Sequence, residues 1–268
     1  MLSLLKNQIQ KYSTDEEKFN YLRELIQIQT LKIIDQQGFS KDIAFVGGTA
    51  LRILYDLNRF SEDLDFSLIN TENFDFENML DQLCKRFLLL NINLKINSKT
   101  KNNVYIAQLK FEKLLYELGL SSLAEQKLYI KLELDINPPE GADLEYTMQE
   151  GFFGIKHYDL SSLYAGKLHA ILHRRYTKGR DYYDLMWYLT KKVKPNLVLL
   201  NNAITQSTGK ESKLDMVSLK TSLIKRLQET NFKEVHSDLE NFVQDSLELR
   251  ALNQDNFLTL LSSKEIFK

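Results

Sequence analysis

The chain has 268 residues, 43% of them hydrophobic and 26% charged, with 10 Gly, 3 Pro and one cysteine, Cys84. Mean hydropathy is −0.33, and no apolar run approaches the roughly 20 residues of a membrane span, while a lone cysteine excludes an internal disulfide and points to a reducing compartment. Net charge is −1, from 35 basic and 36 acidic residues, so the chain is not a globally basic nucleic-acid binder.

The opening MLSLLKNQIQKYSTDEEKF turns polar too early for a signal peptide, so a cytoplasmic protein is expected. Ser13 with Glu16 reads as a capping box ahead of a helix carrying Phe19, Leu22, Ile26, Ile33 and Ile34, which Gly38 ends. IAFVGG is a short buried strand and TALRILYDL a helix opening directly from its glycines. LDFSLI is a second strand and FDFENMLDQLCKRFLLL a helix. INLKINS and NVYIAQLKF alternate as strands, and the charged SKTKNN between them reads as a hairpin turn. KLYIKLELDIN alternates most cleanly: Leu128, Ile130, Leu132, Leu134 and Ile136 fall on one face, with Lys127, Tyr129, Lys131, Glu133 and Asp135 on the other. From Asp159 onward the pattern is helical. These readings predict an N-terminal α/β half, residues 1–158, and a C-terminal helical half, residues 159–268.

Charge is unevenly distributed. Lys85–Lys113 holds seven basic residues against one Glu, and Lys167–Lys194 holds eight against two Asp, whereas Glu229–Asp255 holds seven acids and two bases. Basic stretches of this kind either track a phosphate backbone or form solvated faces.

Asp63 and Asp65 lie at i and i+2 of a strand and project to one side of its sheet, opposite Leu64 and Phe66. Two carboxylates so close favour a raised pKa or a bound cation. Asp135 offers a third carboxylate on a later strand, and an all-oxygen set suits Mg²⁺ or Mn²⁺. Gly47-Gly48-Thr49 forms a strand-to-helix turn whose N–H groups attract phosphate. It is neither a Walker A sequence nor a dinucleotide fingerprint. Together the turn and the carboxylates predict a site where a divalent metal draws a triphosphate toward the glycines.

This order of motifs resembles the DNA polymerase β-like nucleotidyltransferase superfamily, and within it the AbiEii/AbiGii toxin family, which includes the MenT tRNA-modifying toxins. The likeness is carried by GGTALR (Gly47–Arg52), RFSEDLDF (Arg59–Phe66) and YAGKLHAILHRRYTKGRDYYDL (Tyr164–Leu185). The family's R-x-K-D-x-x-D reads here Lys178-Gly179-Arg180-Asp181-Tyr182-Tyr183-Asp184, with the two basic types exchanged. An arginine grips phosphate as a fork and a lysine as a point charge, so the exchange bears on which base meets which phosphate.

The resemblance implies an α+β fold, a mixed polymerase β-like sheet flanked by helices and followed by a helical domain. It implies a Mg²⁺- (or Mn²⁺-) dependent enzyme that transfers NMP from an NTP to the 3′ end of RNA, with tRNA as the expected acceptor. That would block translation in a type IV toxin–antitoxin system, opposed by a cognate AbiEi-like, DNA-binding antitoxin. In this reading Asp63, Asp65 and Asp135 hold metal, and Gly47, Gly48, Thr49 and Ser61 cradle phosphates. Arg52, Lys167 and Arg180 neutralise charge. Asp181 and Asp184 either join the nucleotide site or hold basic side chains in place. The alternatives are nucleotidylation of a protein or small-molecule hydroxyl, and a non-catalytic nucleotide-binding module. Two further groups stand apart: the pair His169 and His173, a possible metal HxxxH, and Trp187 with Tyr182, Tyr183 and Tyr188, which either stack on a base or pack a core.

Overall fold

The computed structural model describes residues 1–72, 74–243 and 245–262. It divides the chain into two units: Met1–Tyr55, Phe60–Asn137 and Glu145–His157 form the first, while Asp56–Arg59, Pro138–Leu144 and Tyr158–Lys268 form the second. Two short segments from the N-terminal part of the chain therefore belong to the second unit.

The first unit runs α1 (Leu2–Ile9), α2 (Asp15–Gln36), β1 (Ile43–Val46), α3 (Gly47–Tyr55), β2 (Leu64–Leu68), α4 (Phe76–Leu89), β3 (Asn93–Lys101), β4 (Val104–Glu112), the one-turn α5 (Leu114–Glu117), β5 (Leu128–Asp135), β6 (Leu144–Gln149) and β7 (Phe153–Tyr158). Its seven strands form one sheet in the order β3-β4-β5-β2-β1-β7-β6. β1 is antiparallel to β2 and parallel to β7, and β2 is parallel to β5, which is antiparallel to β4. This is the mixed sheet flanked by helices that the sequence leads one to expect.

The alternation in KLYIKLELDIN becomes burial: Leu128, Ile130, Leu132 and Leu134 are all at most 1% exposed. They share a face with Leu94, Ala107, Leu109 and Phe111, which α2 and α4 cover. Phe87 of α4 meets Phe111 of β4 edge-on with ring centroids 5.1 Å apart, and Phe45 packs on Phe66 at 5.3 Å. The sheet's other face carries Asp65, Glu133 and Asp135 with other polar side chains, and also Val104 and Ile106.

Two local expectations are corrected. The cap of α2 is Thr14, whose hydroxyl accepts from the Glu17 N–H while Glu17 accepts from the Thr14 N–H at 3.0 Å. Ser13 stands one residue outside the box. The hairpin turn is shorter than SKTKNN. β3 pairs with β4 as far as Lys101↔Val104, so only Asn102 and Asn103 turn, Asn102 with φ +52°. Asparagine tolerates that left-handed conformation, which a two-residue hairpin requires. Lys99 and Lys101 are accordingly strand residues. α1, β6 and β7 are elements the periodicity does not predict.

The second unit is helical: α6 (Leu160–His173), α7 (Gly179–Thr190), α8 (Leu197–Thr208), α9 (Met216–Gln228), α10 (Phe232–Leu239), α11 (Ser246–Ala251) and α12 (Gln254–Ser262). Asp159, Asn196 and Asp215 cap α6, α8 and α9 through side-chain oxygens. Gly179 at the start of α7 is needed for close packing, since a Cβ there would lie 2.3 Å from the Val235 carbonyl oxygen.

The cap assignment is testable. Thr14→Ala should lower stability by about 1 kcal/mol in urea unfolding, whereas Ser13→Ala should leave the midpoint unchanged. Equal effects would contradict the assignment.

Candidate active site

β1 ends where the glycines begin. Gly47 has φ +81°, a conformation open to glycine, and a Cβ on it would lie 2.3 Å from Oδ2 of Asp65. Register explains the closeness: β1 and β2 are antiparallel with Val46 opposite Asp65. The second carboxylate of the D-x-D motif thus lies directly against the glycine turn. Thr49, on the first turn of α3 and 1% exposed, ties the same two elements together. Its hydroxyl donates to the Asp63 backbone carbonyl and shares a 2.9 Å hydrogen bond with Ser61 Oγ. The side-chain oxygen of Thr49 is therefore spent on holding the 61–63 segment, and the backbone of the turn remains as the anion-facing element.

Parallel pairing of β2 with β5 places Glu133 beside Asp65 and Asp135 beside Ser67. Paired residues of neighbouring strands share a face, so Asp65, Glu133 and Asp135 lie on one side of the sheet, and Asp63, the residue just before β2, comes within 4.0 Å of Lys131 Nζ. Glu133 is level with the glycine turn, and Asp135 is one step further from it. The Asp135 carboxylate accepts from the Asn137 N–H at 2.9 Å, and burial raises its pKa despite that bond. Glu133 is a residue that sequence alone passes over. Its signal was its place on the polar face of β5, but without the register nothing ranks it above Asp135.

A cation already sits in this group. Lys131 Nζ lies 2.9 Å from Glu133 Oε2 and 4.0 Å from Asp63 Oδ2. Burial would lower its pKa, but Glu133, Asp63 and Asp65 outweigh that and hold it above the usual lysine value. Arg52, on α3, is held by Glu24 at 2.7 Å and lies over the Phe60 ring at 4.9 Å.

Among the described residues, no three His, Cys, Asp or Glu side chains converge closely enough to hold a metal by themselves. The donors are nevertheless the right kind. Magnesium is usually held by one or two carboxylates together with substrate phosphates rather than by an all-protein cage. A carboxylate pair touching a phosphate-receptive turn fits that mode, and the oxygen-only chemistry does not fit zinc.

The second unit gathers the remaining candidates. Arg59 and Asp184 form a two-pronged pair, Nε–Oδ1 2.6 Å and Nη2–Oδ2 2.7 Å, with side chains 1% and 0% exposed. Lys167 reaches the same carboxylate at 2.7 Å and Asp181 at 3.4 Å, and Asp181 also takes Arg174. Arg180 lies over the Phe242 ring at 4.2 Å. Burial would raise the Asp184 pKa, yet Arg59 and Lys167 bring it below 3.8, while Asp184 keeps Arg59 above its ordinary value against burial. Asp184 is thus wholly occupied in anchoring two cations.

The two outlying groups have structural uses. His169 and His173 stack with centroids 5.1 Å apart, His169 Nε2 bonds Ser207 at 2.9 Å, and burial lowers both pKa values. Tyr182, Tyr183 and Tyr188 are buried, with Tyr188 stacked on Tyr164 at 4.1 Å. They are core.

A mixed sheet presenting a carboxylate pair beside a glycine-rich strand–helix turn fits the nucleotidyltransferase class, which the family match establishes. The chain belongs to the family described as "Nucleotidyl transferase AbiEii toxin, Type IV TA system", which it matches over residues 29–261. Two solved structures from Helicobacter pylori share the fold. One is a protein assigned as a nucleotidyltransferase, 19% identical, with a TM-score of 0.53 over 90% of both chains. The other is JHP933, also 19% identical with a TM-score of 0.53, covering 89% of this chain and 91% of that one. No curated protein matches. Among the described residues, no helix is long and apolar enough to cross a membrane.

The buried pair yields a prediction with a defined sign. A carboxylate whose folded pKa is depressed contributes stability that is present above its unfolded value and is lost as pH falls through the folded one. Stability should therefore decline as pH drops below 3.8, the ordinary value for Asp184. Asp184→Leu should cost about 3–5 kcal/mol at neutral pH by stranding Arg59, and Arg59→Met/Asp184→Leu should recover most of that loss and flatten the acid decline. Urea unfolding at several pH values checks both. A harmless single variant would contradict the pairing.

Proposed function

We propose that this nucleotidyltransferase moves an NMP group from an NTP onto the 3′-hydroxyl of an RNA, with tRNA as the acceptor and arrest of translation as the consequence. The observation that carries the reading is the contact of Asp65 with Gly47. A carboxylate pressed against an anion-receptive turn is unfavourable for a bare phosphate and favourable for a phosphate arriving with a divalent cation.

Asp63, Asp65 and Glu133 are the proposed oxygen donors for Mg²⁺ or Mn²⁺, with Asp135 next in line. When bound, the metal supplies charge neutralisation of the triphosphate and acidification of the attacking hydroxyl. The chain's own part is positional. The backbone N–H groups of Gly47, Gly48 and Thr49 face the phosphates, with Ser61 beside them. The aspartates fix the α-phosphorus for in-line attack: the 3′-oxygen bonds to it, its bond to the bridging oxygen breaks, and pyrophosphate leaves. The hydroxyl proton passes to a carboxylate of the set.

Lys167 is proposed as a phosphate-neutralising residue, and Asp181 and Asp184 as positioning residues that hold Lys167 and Arg174. Arg52 and Arg180, each held by neighbouring side chains, are proposed to supply positive field. A type IV toxin family implies an antitoxin that opposes the effect, and an AbiEi-like, DNA-binding protein is the proposed partner.

Turnover with labelled NTP and total RNA tests the assignment. Asp63→Asn and Asp65→Asn should abolish transfer, and Glu133→Gln should reduce it by roughly a hundredfold or more, about 2.7 kcal/mol of barrier. Asp135→Asn should cost less than about tenfold. A full-rate Asp65→Asn enzyme would sink the mechanism, and the reverse ranking of Glu133 and Asp135 would restore Asp135 as third ligand.

A further inference from the structure

The carboxylates do not sit alone on their face of the sheet. Following the register outward from β2, each row continues through β5 and β4 to the edge strand β3. Asp65 neighbours Glu133, which pairs with Ile106, which pairs with Lys99. The next row runs Ser67, Asp135, Val104, Lys101. On the other side Lys131 pairs with Gln108 and then Asn97, and Tyr129 with Lys110 and then Lys95. Since laterally paired residues share a face, Lys95, Lys99, Lys101 and Lys110 all project to the side that carries the acids.

This face is open. Lys99, Lys101, Asn97 and Gln108 are exposed, and Tyr129 is 47% exposed, while α2 and α4 cover the opposite side. Lys95 is occupied by Glu112, which also takes Lys127. Lys99, Lys101 and Lys110 form no ion pair with any described residue. The other three members of the same basic stretch lie outside these strands: Lys85 pairs with Asp81 within α4, Arg86 reaches Gln37, and Lys113 follows the end of β4. The fold has therefore sorted the basic run, placing the strand lysines beside the acids and the others elsewhere.

We propose that the β3–β4–β5 face is the track along which a single-stranded RNA 3′ end reaches the carboxylates, with its phosphates over Lys99, Lys101 and Lys110 and Tyr129 available for base stacking. The proposal rests on the RNA-acceptor reading above. Lysines on an edge strand also discourage edge-to-edge aggregation, but that role does not require them to share the acids' face. Three strand spacings separate β3 from β2, about 14 Å, a span that a few nucleotides of an extended strand cover. A positive track with an aromatic platform is how sequence-tolerant single-strand binding is built.

The test is binding of a labelled single-stranded RNA oligonucleotide across a salt series, by the full chain and by Lys99→Gln/Lys101→Gln/Lys110→Gln, with Mg–NTP affinity and melting temperature measured alongside. Each lost phosphate contact removes about 0.7 from the slope of log affinity against log salt, so the variant's slope should shrink by about 2 and its affinity at 0.1 M salt should fall roughly a hundredfold. Mg–NTP binding and melting temperature should not change. A variant that binds RNA with the parent's slope and affinity would overturn the track while leaving the RNA reading standing. A parent chain that transfers NMP yet binds no RNA would overturn both.

Discussion

The approach of Asp65 to Gly47 is the constraint on which the rest of the catalytic unit depends. Only a residue without a Cβ can occupy position 47, because the space a side chain would need is filled by a carboxylate oxygen. That closeness follows from the β1–β2 register and puts negative charge beneath a turn that attracts anions. Thr49 reinforces it by tying the helix to the Asp63 carbonyl. The electrostatic conflict thus created is resolved in part by Lys131 and would be resolved fully by a divalent cation shared with phosphate oxygens.

The second unit rests on a different device. Arg59 and Asp184 are fully buried, and such pairs persist only when each partner's hydrogen-bonding capacity is used. Here Arg59 uses both oxygens of Asp184, and Lys167 takes one of them as well. The loop 56–59 is pinned further by Tyr183, which donates to the Asn58 carbonyl at 2.9 Å, and by Asn58 donating to Glu248 at 2.8 Å. Residues 56–59 are thus tied to the helices of the second unit. This gives the family's last aspartate a positional use that needs no contact with substrate.

Local chemistry was legible in the sequence wherever burial followed a simple period. The strands from IAFV to IKLELD and the helices between them could be read because their apolar residues recur at spacings of two or near 3.6. β6 could not, because its apolar residues Leu144, Tyr146 and Met148 are exposed on an edge strand, so alternation there does not signal a core. The D-x-D pair, the glycine turn and the basic stretches were visible as residue types. Their geometry was not. Glu133 gains its place from the parallel pairing of β2 with β5, and the lysine rows from pairing across four strands. Arg59 finds Asp184 across 125 residues of chain. Register and long-range pairing are tertiary facts, and no local pattern encodes them.

The central claim is that the chain breaks the bond between the α- and β-phosphates of an NTP and leaves the nucleotide on an RNA 3′ end. The most direct measurement is transfer of label from α-³²P and from γ-³²P NTP to total RNA with Mg²⁺, followed by mapping of the labelled terminus. The account predicts α-label at the RNA 3′ end and no γ-label in RNA. Transfer of γ-label, or α-label that appears on protein or small molecules and never on RNA, would contradict it.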